Sequence, residues 1–286
     1  MTSILAQVAI NWIMISSIYC LMALGMTLIY SVMGILNFTH GALYMLGGYV
    51  IYYSIILFGL PYYVGLVFAF VFVGLLGVLI YKGLLRYFRT EILVCLIITV
   101  GLSGIFENSA YIVFNPYEKS VPSLISSVVK GPLGVSLSAE RLIVMFIGLA
   151  LVSVFLLLIN YSKPGRALRA VAEDAEASML QGVNAESTFT LGMFLASGLA
   201  GIAGGLMAPV FGIGPFIGLD VIMNSFTIIL IGGVGSISGA LVGSFVLGLI
   251  TSVGNTFFSG DVATMISFAL LILIMVVRPR GLLGGI

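Results

Sequence analysis

Long runs without a charged residue dominate the chain and set its architecture. No Asp, Glu, Lys or Arg occurs in residues 1–81, and only Asp220 and Asp261 interrupt residues 187–277. A helix needs about 20 apolar residues to cross a bilayer, so the first stretch has room for three crossings and the second for four. Runs such as residues 64–80 are apolar on every face, a pattern that favours buried helices over the alternating strands of a β-barrel.

The pattern predicts an all-α, polytopic transmembrane bundle of eight or nine spans with Gly/Pro-broken segments, forming one domain over residues 1–286. The predicted spans cover residues 5–32, 36–58, 62–85, 92–114, 140–160, 187–210, 219–236, 237–256 and 261–277. The eight-span alternative places re-entrant half-helices either before Gly59 or within residues 219–256. A cleaved signal peptide is not expected, because no basic residue precedes the first apolar run and that run is too long.

Basic residues orient these spans. Eight of the eleven Lys and Arg fall in three clusters, each directly after a predicted span. The clusters are Lys82, Arg86 and Arg89; Lys163, Arg166 and Arg169; and Arg278 and Arg280. The positive-inside rule places all three in the cytoplasm. The N-terminus is then outside, residues 115–139 form an external loop, and residues 161–186 form a cytoplasmic loop.

Composition agrees with this assignment. Hydrophobic residues make up 61% of the chain and charged residues 7%, against about 25% charged in a soluble domain, so lipid must cover much of the surface. The net charge of +1 indicates neither nucleic acid nor an acidic partner. Cys20 and Cys95 both lie in apolar segments and are expected to be core residues. The glycine pattern of residues 198–205 and 239–248 predicts close helix packing, within the subunit or, alternatively, in a dimer.

The loop over residues 161–186 is the only long polar stretch expected in the cytoplasm. Ser162 can cap a helix, Pro164 suits its first turn, and Gly182 can end it. The three cations of the second basic cluster fall at the positive end of this helix, so a compensating partner such as lipid phosphate is expected. The residues alone leave two interpretations open: a solvated connecting helix, or a helix that docks on a cytosolic motor.

A polar segment interrupts the apolar pattern near the N-terminus. On one helix, the side chains of Asn37, His40, Gly41, Tyr44 and Gly48 would share a face, and polar groups within a membrane face a bundle interior or a water-filled path. His40 is the single histidine of the chain, and it is expected either to pack with a hydrogen bond or to line a path. A metal site is not expected, because no second histidine or acidic cluster accompanies it.

A second break lies in the C-terminal half. Residues 209–215 hold two prolines and two glycines, and Asn224 and Thr227 follow on one predicted helix face. Glycine-interrupted segments in corresponding places of two halves indicate a binding site or gate at their interface. The glycines of residues 232–235 do not form a phosphate loop, because no Lys follows them. Glu107 and Asn108 fall near the outer end of the fourth span, where a rim or packing role is favoured over a proton relay.

Three segments resemble the permeases of branched-chain amino-acid ABC importers. The N-terminal signature of that family, xNFxHGxxYMxG, is matched at Asn37, Phe38, His40, Gly41, Tyr44, Met45 and Gly47. Residues 165–184 resemble the coupling loop of the family, a relative of the EAA loop of other importers. Asp174 stands where the general EAA pattern has alanine, so the likeness is to this branch of the class. Residues 231–243 resemble the C-terminal part of the family.

The resemblance implies roles for particular residues. The translocation path is expected to include Asn37, Thr39, His40, Gly41, Tyr44, Asn224 and Thr227. The surface that docks the ATPase is expected to include Arg166, Ala170, Glu173, Asp174, Ala177 and Gly182. A chain of this kind is a transport subunit rather than an enzyme, and it carries no cofactor because partner subunits bind the ATP.

The implied partners are a second permease subunit, two cytosolic ATPase subunits, a periplasmic or lipoprotein solute-binding protein and the lipid of a bacterial or archaeal cytoplasmic membrane. Leucine, isoleucine and valine are the expected solutes. Relatives of similar sequence carry urea, short amides or other amino acids, which stay as alternatives. A secondary transporter or channel acting alone is the alternative of another class, although no acid lies clearly in the middle of a predicted span.

Overall fold

A computed structural model describes residues 2–122, 128–130 and 136–283. Within them, eleven α-helices account for most of the chain. The helices are α1 (Thr2–Met33), α2 (Thr39–Ile56), α3 (Tyr62–Gly83), α4 (Ile92–Phe114), α5 (Ala139–Tyr161), α6 (Lys163–Glu173), α7 (Ala175–Leu180), α8 (Ala185–Phe211), α9 (Ile217–Gly232), α10 (Ile237–Phe257) and α11 (Gly260–Val277). A 3₁₀ turn at Leu85–Phe88 leads from α3 towards α4.

All nine predicted spans are helices, which confirms the polytopic all-α class. Seven of the described helices are long and apolar enough to cross a membrane. The two that fall short are the helices that follow the predicted breaks. The 18 residues of α2 include Thr39, His40 and four tyrosines, and α9 has only 16 residues. The choice between eight and nine spans therefore rests on these two helices.

The bundle is built around α1 and α8. About 89% of the apolar window of α1 is buried, between α5, α8, α9 and α10, and 78% of that of α8 is buried, against α1, α2 and α3. In five helices, α3, α4, α5, α10 and α11, less than half of the apolar window is buried, as expected for helices covered by lipid or by another membrane protein. α4 and α11 are the most exposed, with 17% and 11% buried.

Glycines let the central helices approach closely. A Cβ placed on Gly47 of α2 would overlap the backbone of Gly201 in α8, and a Cβ on Gly204 would overlap the carbonyl of Tyr44. Glycines of α10 meet α9 and α1 in the same way, as Gly248 does at Ser16. Packing within the subunit, the first of the two predicted uses of these glycines, is therefore confirmed.

The three basic clusters lie at one end of the bundle. Arg86 forms a 3.2 Å ion pair with Glu186, which joins the first cluster to the end of the predicted cytoplasmic loop. Beyond the third cluster, the backbone N–H groups of Leu282 and Leu283 donate to the last carbonyls of α9. At the other end, the Arg141 guanidinium donates to Asn11 at 3.2 Å. The basic clusters and the start of α1 thus lie at opposite ends, as the predicted topology requires.

The predicted external loop of residues 115–139 is described only in part. It contains two antiparallel strands, β1 (Val128–Lys130) and β2 (Ser136–Ser138), with Val129 opposite Leu137. Lys119, nearer the start of the loop, bridges to Ile213 in the break before α9. Residues 123–127 and 131–135 lie outside the described part of the chain.

Candidate functional site

The two predicted breaks meet inside the bundle. Most of residues 34–38 and of 212–216 is non-helical, so α2 and α9 each start after an interruption. Gly41 in the first turn of α2 lies against Gly218 in the first turn of α9, and a Cβ on Gly218 would lie 2.9 Å from the Gly41 carbonyl carbon. Two glycines are needed here because any side chain would separate the helices. We call this contact the glycine joint.

Glu107 of α4 closes one side of the glycine joint. Its Oε1 would lie 3.0 Å from a Cβ on Gly218, and it accepts a 3.1 Å hydrogen bond from the Ser103 hydroxyl. The side chain is 6% exposed, so Glu107 packs against the joint rather than standing at an outer rim. Asn108, the next residue, is exposed and donates only to the carbonyl of Gly104 in its own helix.

Asn37 does not lie on the helix face assigned to it. It precedes α2, where its Oδ1 accepts the backbone N–H of Thr39 at 3.0 Å. The prediction of one continuous polar face was wrong at Asn37. Its short amide side chain hydrogen-bonds within the turn that precedes the helix, so the helix does not extend back to this residue. The Thr39 hydroxyl donates to the carbonyl of Thr99 in α4 at 3.0 Å, and this bond ties the start of α2 to α4.

His40 is fully buried between α2 and α1. Its Nε2 lies 3.0 Å from the Met22 carbonyl oxygen, and a Cβ on Gly25 would lie 2.8 Å from its Cε1, so Gly25 makes room for the imidazole. Tyr44, one turn on, is also buried. Thr39, His40, Gly41 and Tyr44 are therefore all internal to the single subunit. Among the described residues, no group of His, Cys, Asp or Glu could hold a metal ion.

A polar cavity of about 530 Å³ opens between α1, α9, α10 and α11. It is lined by Asp220, Asn224, Asn255 and Asp261, with the apolar side chains of Met223 and Phe268 beside them. In the sequence, Asp220 and Asp261 fall at the ends of separate predicted spans, and no pattern brings them together. An acid near the N-terminal end of a helix is a common stabilising feature. The sequence therefore did not indicate that these two carboxylates line the same cavity.

Thr227 does not share the surface of Asn224. Asn224 is half-exposed and lines the polar cavity, whereas Thr227 is buried and its hydroxyl donates to the Met223 carbonyl at 2.8 Å. Residues three apart on a helix differ by about 60° in direction, which is enough here to send one outward and the other into the packing. The two predicted path residues of this half therefore point to different environments.

The cytoplasmic loop folds into two helices rather than one. The start of α6 is as predicted, because Ser162 Oγ accepts the N–H of Gly165 at 3.0 Å and Pro164 lies in the first turn. The single helix predicted to run to Gly182 was wrong, because Asp174 is extended (φ −156°) and its Oδ1 accepts the N–H of Ala177 at 2.9 Å. Asp174 thereby ends α6 and caps α7, and Gly182 at φ +84° ends α7 instead.

Two of the three cations of α6 hydrogen-bond to the end of the preceding helix. Arg166 donates to the carbonyl of Tyr161 at 3.3 Å, and Arg169 donates to the carbonyl of Ile159. These carbonyls belong to the negative end of α5, so they are favourable partners for Arg166 and Arg169. Lys163 is exposed, and the lipid phosphate expected near this cluster stays a prediction. The same bonds fix the angle between α5 and α6.

The tip of this cytoplasmic element exposes apolar side chains. Met179 is 52% exposed and Leu180 is 89% exposed. On the opposite side, Leu168 and Val171 are buried, and Leu168 Cδ2 would lie 3.4 Å from a Cβ on Gly192 of α8. The residues predicted to dock the ATPase are exposed here at Arg166, Glu173, Asp174, Ala177 and Gly182, and half-buried at Ala170.

Sequence reasoning missed Met179 and Leu180. Their pattern fitted an ordinary apolar helix face, and only the break at Asp174 turns that face towards solvent. An exposed apolar tip rimmed by acids is typical of a surface that binds another protein.

Comparisons with known proteins agree over nearly the whole chain. Residues 8–275 match the family described as the permease component of branched-chain amino acid transport systems. The chain is 32% identical to the high-affinity branched-chain amino acid transport system permease LivH of Escherichia coli K12, over 97% of this chain and 95% of that protein. It is 31% identical to BraD of Pseudomonas aeruginosa, with the same coverage. A probable branched-chain amino acid permease of Methanocaldococcus jannaschii is 29% identical over 95% of this chain and 90% of that protein. No solved structure matches the chain.

Proposed function

The chain belongs to the family of permease components of branched-chain amino acid transport systems, and on that premise we propose that it forms half of the translocation path of an ABC importer for leucine, isoleucine and valine. It is a multi-pass protein of the cytoplasmic membrane and a transport subunit. A solute-binding protein delivers the solute from outside, two cytosolic ATPase subunits bind and hydrolyse ATP, and a second permease completes the path.

The observation that carries this proposal is the exposed α6–α7 element. It stands at the end of the bundle that holds the basic clusters, and Leu180 at its tip contacts little of its own chain. A cleft of a cytosolic ATPase that received Met179 and Leu180 would bury apolar surface, with Glu173 and Glu176 at the rim. The glycines of residues 232–235 are not followed by the Lys of a phosphate loop, so the proposal assigns ATP hydrolysis to such a partner.

The path runs through the polar interruptions of the bundle. α6 packs through Leu168 on α8, which in turn packs on α2 at Gly47 and Gly204. A shift of α6–α7 is therefore transmitted to the start of α2, where Thr39, His40 and the glycine joint lie. Because α2 and α9 both begin at that joint, rocking of one against the other changes access from one side of the membrane to the other. Asn224 faces the polar cavity, where solute would first meet polar groups of α9.

The test begins with gentle purification of the tagged chain from its native membrane. We expect a cytosolic ATPase and a second permease at comparable yield, and ATP-dependent uptake of labelled leucine once the complex is in liposomes. ATP-dependent uptake of urea or acetamide, without uptake of leucine, would support the importer function but show that the solute is a different one. Uptake by the chain alone without ATP would contradict the importer and favour a secondary transporter or channel.

Glu173→Lys is the matching variant for the docking surface. It reverses the charge of an exposed residue on α6, so it is expected to abolish copurification of the ATPase while the chain stays in the membrane. Glu91→Lys makes the same change at another exposed residue of the same end of the bundle and is expected to keep the ATPase. Equal ATPase recovery with both variants would remove the docking role of α6.

A further inference from the structure

The outward face of α4 has a composition that lipid contact does not explain. α4 packs on its own subunit through one narrow face, which carries Cys95, Thr99, Ser103, Glu107 and Ala110. The opposite face carries Gly101 and Asn108, both exposed, and Gly104, which is partly exposed. Small and polar residues within a membrane are typical of helix–helix contacts, and polar residues facing lipid are rare.

The glycines of this face have no use inside the subunit. A Cβ would meet a neighbouring atom within 4 Å at every glycine of the described helices except Gly83, Gly101 and Gly104. Gly83 is the last residue of α3, whereas Gly101 and Gly104 lie in the middle of α4. Glycine in the middle of a helix destabilises it, and here no close contact within the subunit requires a glycine. A contact outside the subunit supplies the missing reason, because only small residues let a second helix backbone approach closely.

The spacing of the face matches a helix-pairing seam. Ile97, Gly101, Gly104, Asn108 and Tyr111 follow each other at intervals of four, three, four and three residues. This 3.5-residue average keeps one stripe in register with a neighbouring helix along its length. Asn108 donates to Gly104 in its own helix and is otherwise exposed, and it lies six residues, or about 9 Å, before the end of α4. A helix of another membrane protein would offer this amide a further hydrogen-bond partner.

The seam continues into the polar surface of α9. Tyr111 packs against Phe216 with ring centroids 5.9 Å apart and the rings tilted by 39°, and Asp220 follows Phe216 by one turn. α4 and α9 run in opposite directions through the bundle, so Asn108 and Asp220 both lie on the cytoplasmic side of that aromatic pair. Both side chains are exposed in the single subunit. One surface therefore combines a helix-pairing seam with the polar groups of α9.

We propose that the seam of α4 at Ile97, Gly101, Gly104 and Asn108 is the contact with a transmembrane helix of the second permease subunit, whose facing residues are small. The inference rests on the proposed function, which supplies a second permease at the same membrane depth. It also places Asp220 and Asn224 next to the boundary between the two permeases, so a solute passing there would meet these polar groups of α9.

Gly104→Leu and Gly101→Leu test the seam without disturbing the fold. Because no atom of the subunit lies within 4 Å of either Cβ position, the added Cβ meets no neighbour there, and we expect the bulk of the leucine to fall on the partner. The ratio of second permease to tagged chain in the purified complex is expected to fall about tenfold or more, with membrane insertion unchanged. Gly83→Leu is the matched control, since it too has no neighbour within 4 Å, and it is expected to keep the full ratio.

A crosslink identifies the partner directly. In a chain with Cys20 and Cys95 replaced by Ala, a benzophenone maleimide is attached to Asn108→Cys in the intact complex and irradiated. Peptide sequencing of the adduct is expected to show a permease, either another copy of this chain or a different one, and both support the seam. Adducts with lipid alone, while a second permease still copurifies, would overturn this inference and leave the importer intact. Absence of any second permease from the wild-type complex would overturn both together.

Discussion

Gly41 and Gly218 touch backbone to backbone, although 177 positions separate them in the chain, and this contact joins the two interrupted helices of the subunit. Each glycine lies in the first turn of the helix that follows a break. Glu107 borders the contact from α4, and the hydrogen bond of Thr39 to Thr99 fastens the same region to that helix. A transporter needs two arrangements of its path, and a joint without side chains is a place where two helices can pivot with little repacking.

Gly41→Val is expected to destabilise the subunit, because its Cβ would overlap the Gly218 backbone, which cannot move aside as a flexible side chain can. Overpacking of this kind costs about 1–3 kcal/mol or more, and we expect a fall of roughly 5 °C or more in apparent melting temperature in detergent. Gly48→Ala is the control, since its Cβ would meet the flexible Ile213 side chain at 3.1 Å and the Gly204 carbonyl oxygen at 3.4 Å, without overlapping backbone. Equal melting temperatures for the two variants would contradict the glycine joint.

Leu180→Glu is expected to weaken ATPase binding without changing the stability of the permease. The side chain is 89% exposed, so the subunit loses no packing, whereas an interface loses the burial of a leucine, about 1.5–3 kcal/mol. ATPase recovery should fall roughly tenfold or more in pull-down from membranes. Phe258→Glu, at a residue 64% exposed at the opposite end of the bundle, should leave ATPase recovery unchanged. Undiminished binding by Leu180→Glu would show that the tip is not the docking point.

Asp174→Ala is expected to unravel α7, because it removes the oxygen that accepts the Ala177 N–H. Loss of an N-terminal cap costs roughly 1 kcal/mol, which is large for a helix of six residues. Hydrogen exchange of residues 175–180 should speed up severalfold, and ATPase recovery should fall with it. Asp174→Asn keeps a capping oxygen and should retain slow exchange. Fast exchange in both variants would mean that the negative charge of Asp174, rather than its capping oxygen, stabilises α7.

His40→Leu is expected to reduce uptake more than assembly. It removes the ring nitrogen 3.0 Å from the Met22 carbonyl and alters the fit against Gly25, yet it places an apolar side chain in a fully buried position. Uptake per molecule of assembled complex is the measurement. His40→Gln retains a donor near that carbonyl and should recover part of the uptake. Normal uptake by His40→Leu would leave His40 a packing residue only.

The sequence alone determined the class, the helices and their order. Uncharged stretches of span length permit only helices in a membrane, and the three basic clusters orient them, so nine helices and two breaks could be predicted from composition and spacing. Local chemistry was equally readable where it depends on neighbours in the chain, as at Ser162, which caps α6 as predicted. The family followed from short unusual strings such as the one at Asn37–Phe38 and His40–Gly41.

Only the tertiary structure decided which surfaces these residues occupy. A helix that is apolar on every face gives no indication of which side meets its neighbours, so the burial of His40, the meeting of Gly41 with Gly218 and the shared cavity of Asp220 and Asp261 depend on contacts between distant segments. The same holds for Leu180, which became a surface residue when Asp174 broke the helix before it. Periodicity specifies a helix, but long-range packing decides what each face of it touches.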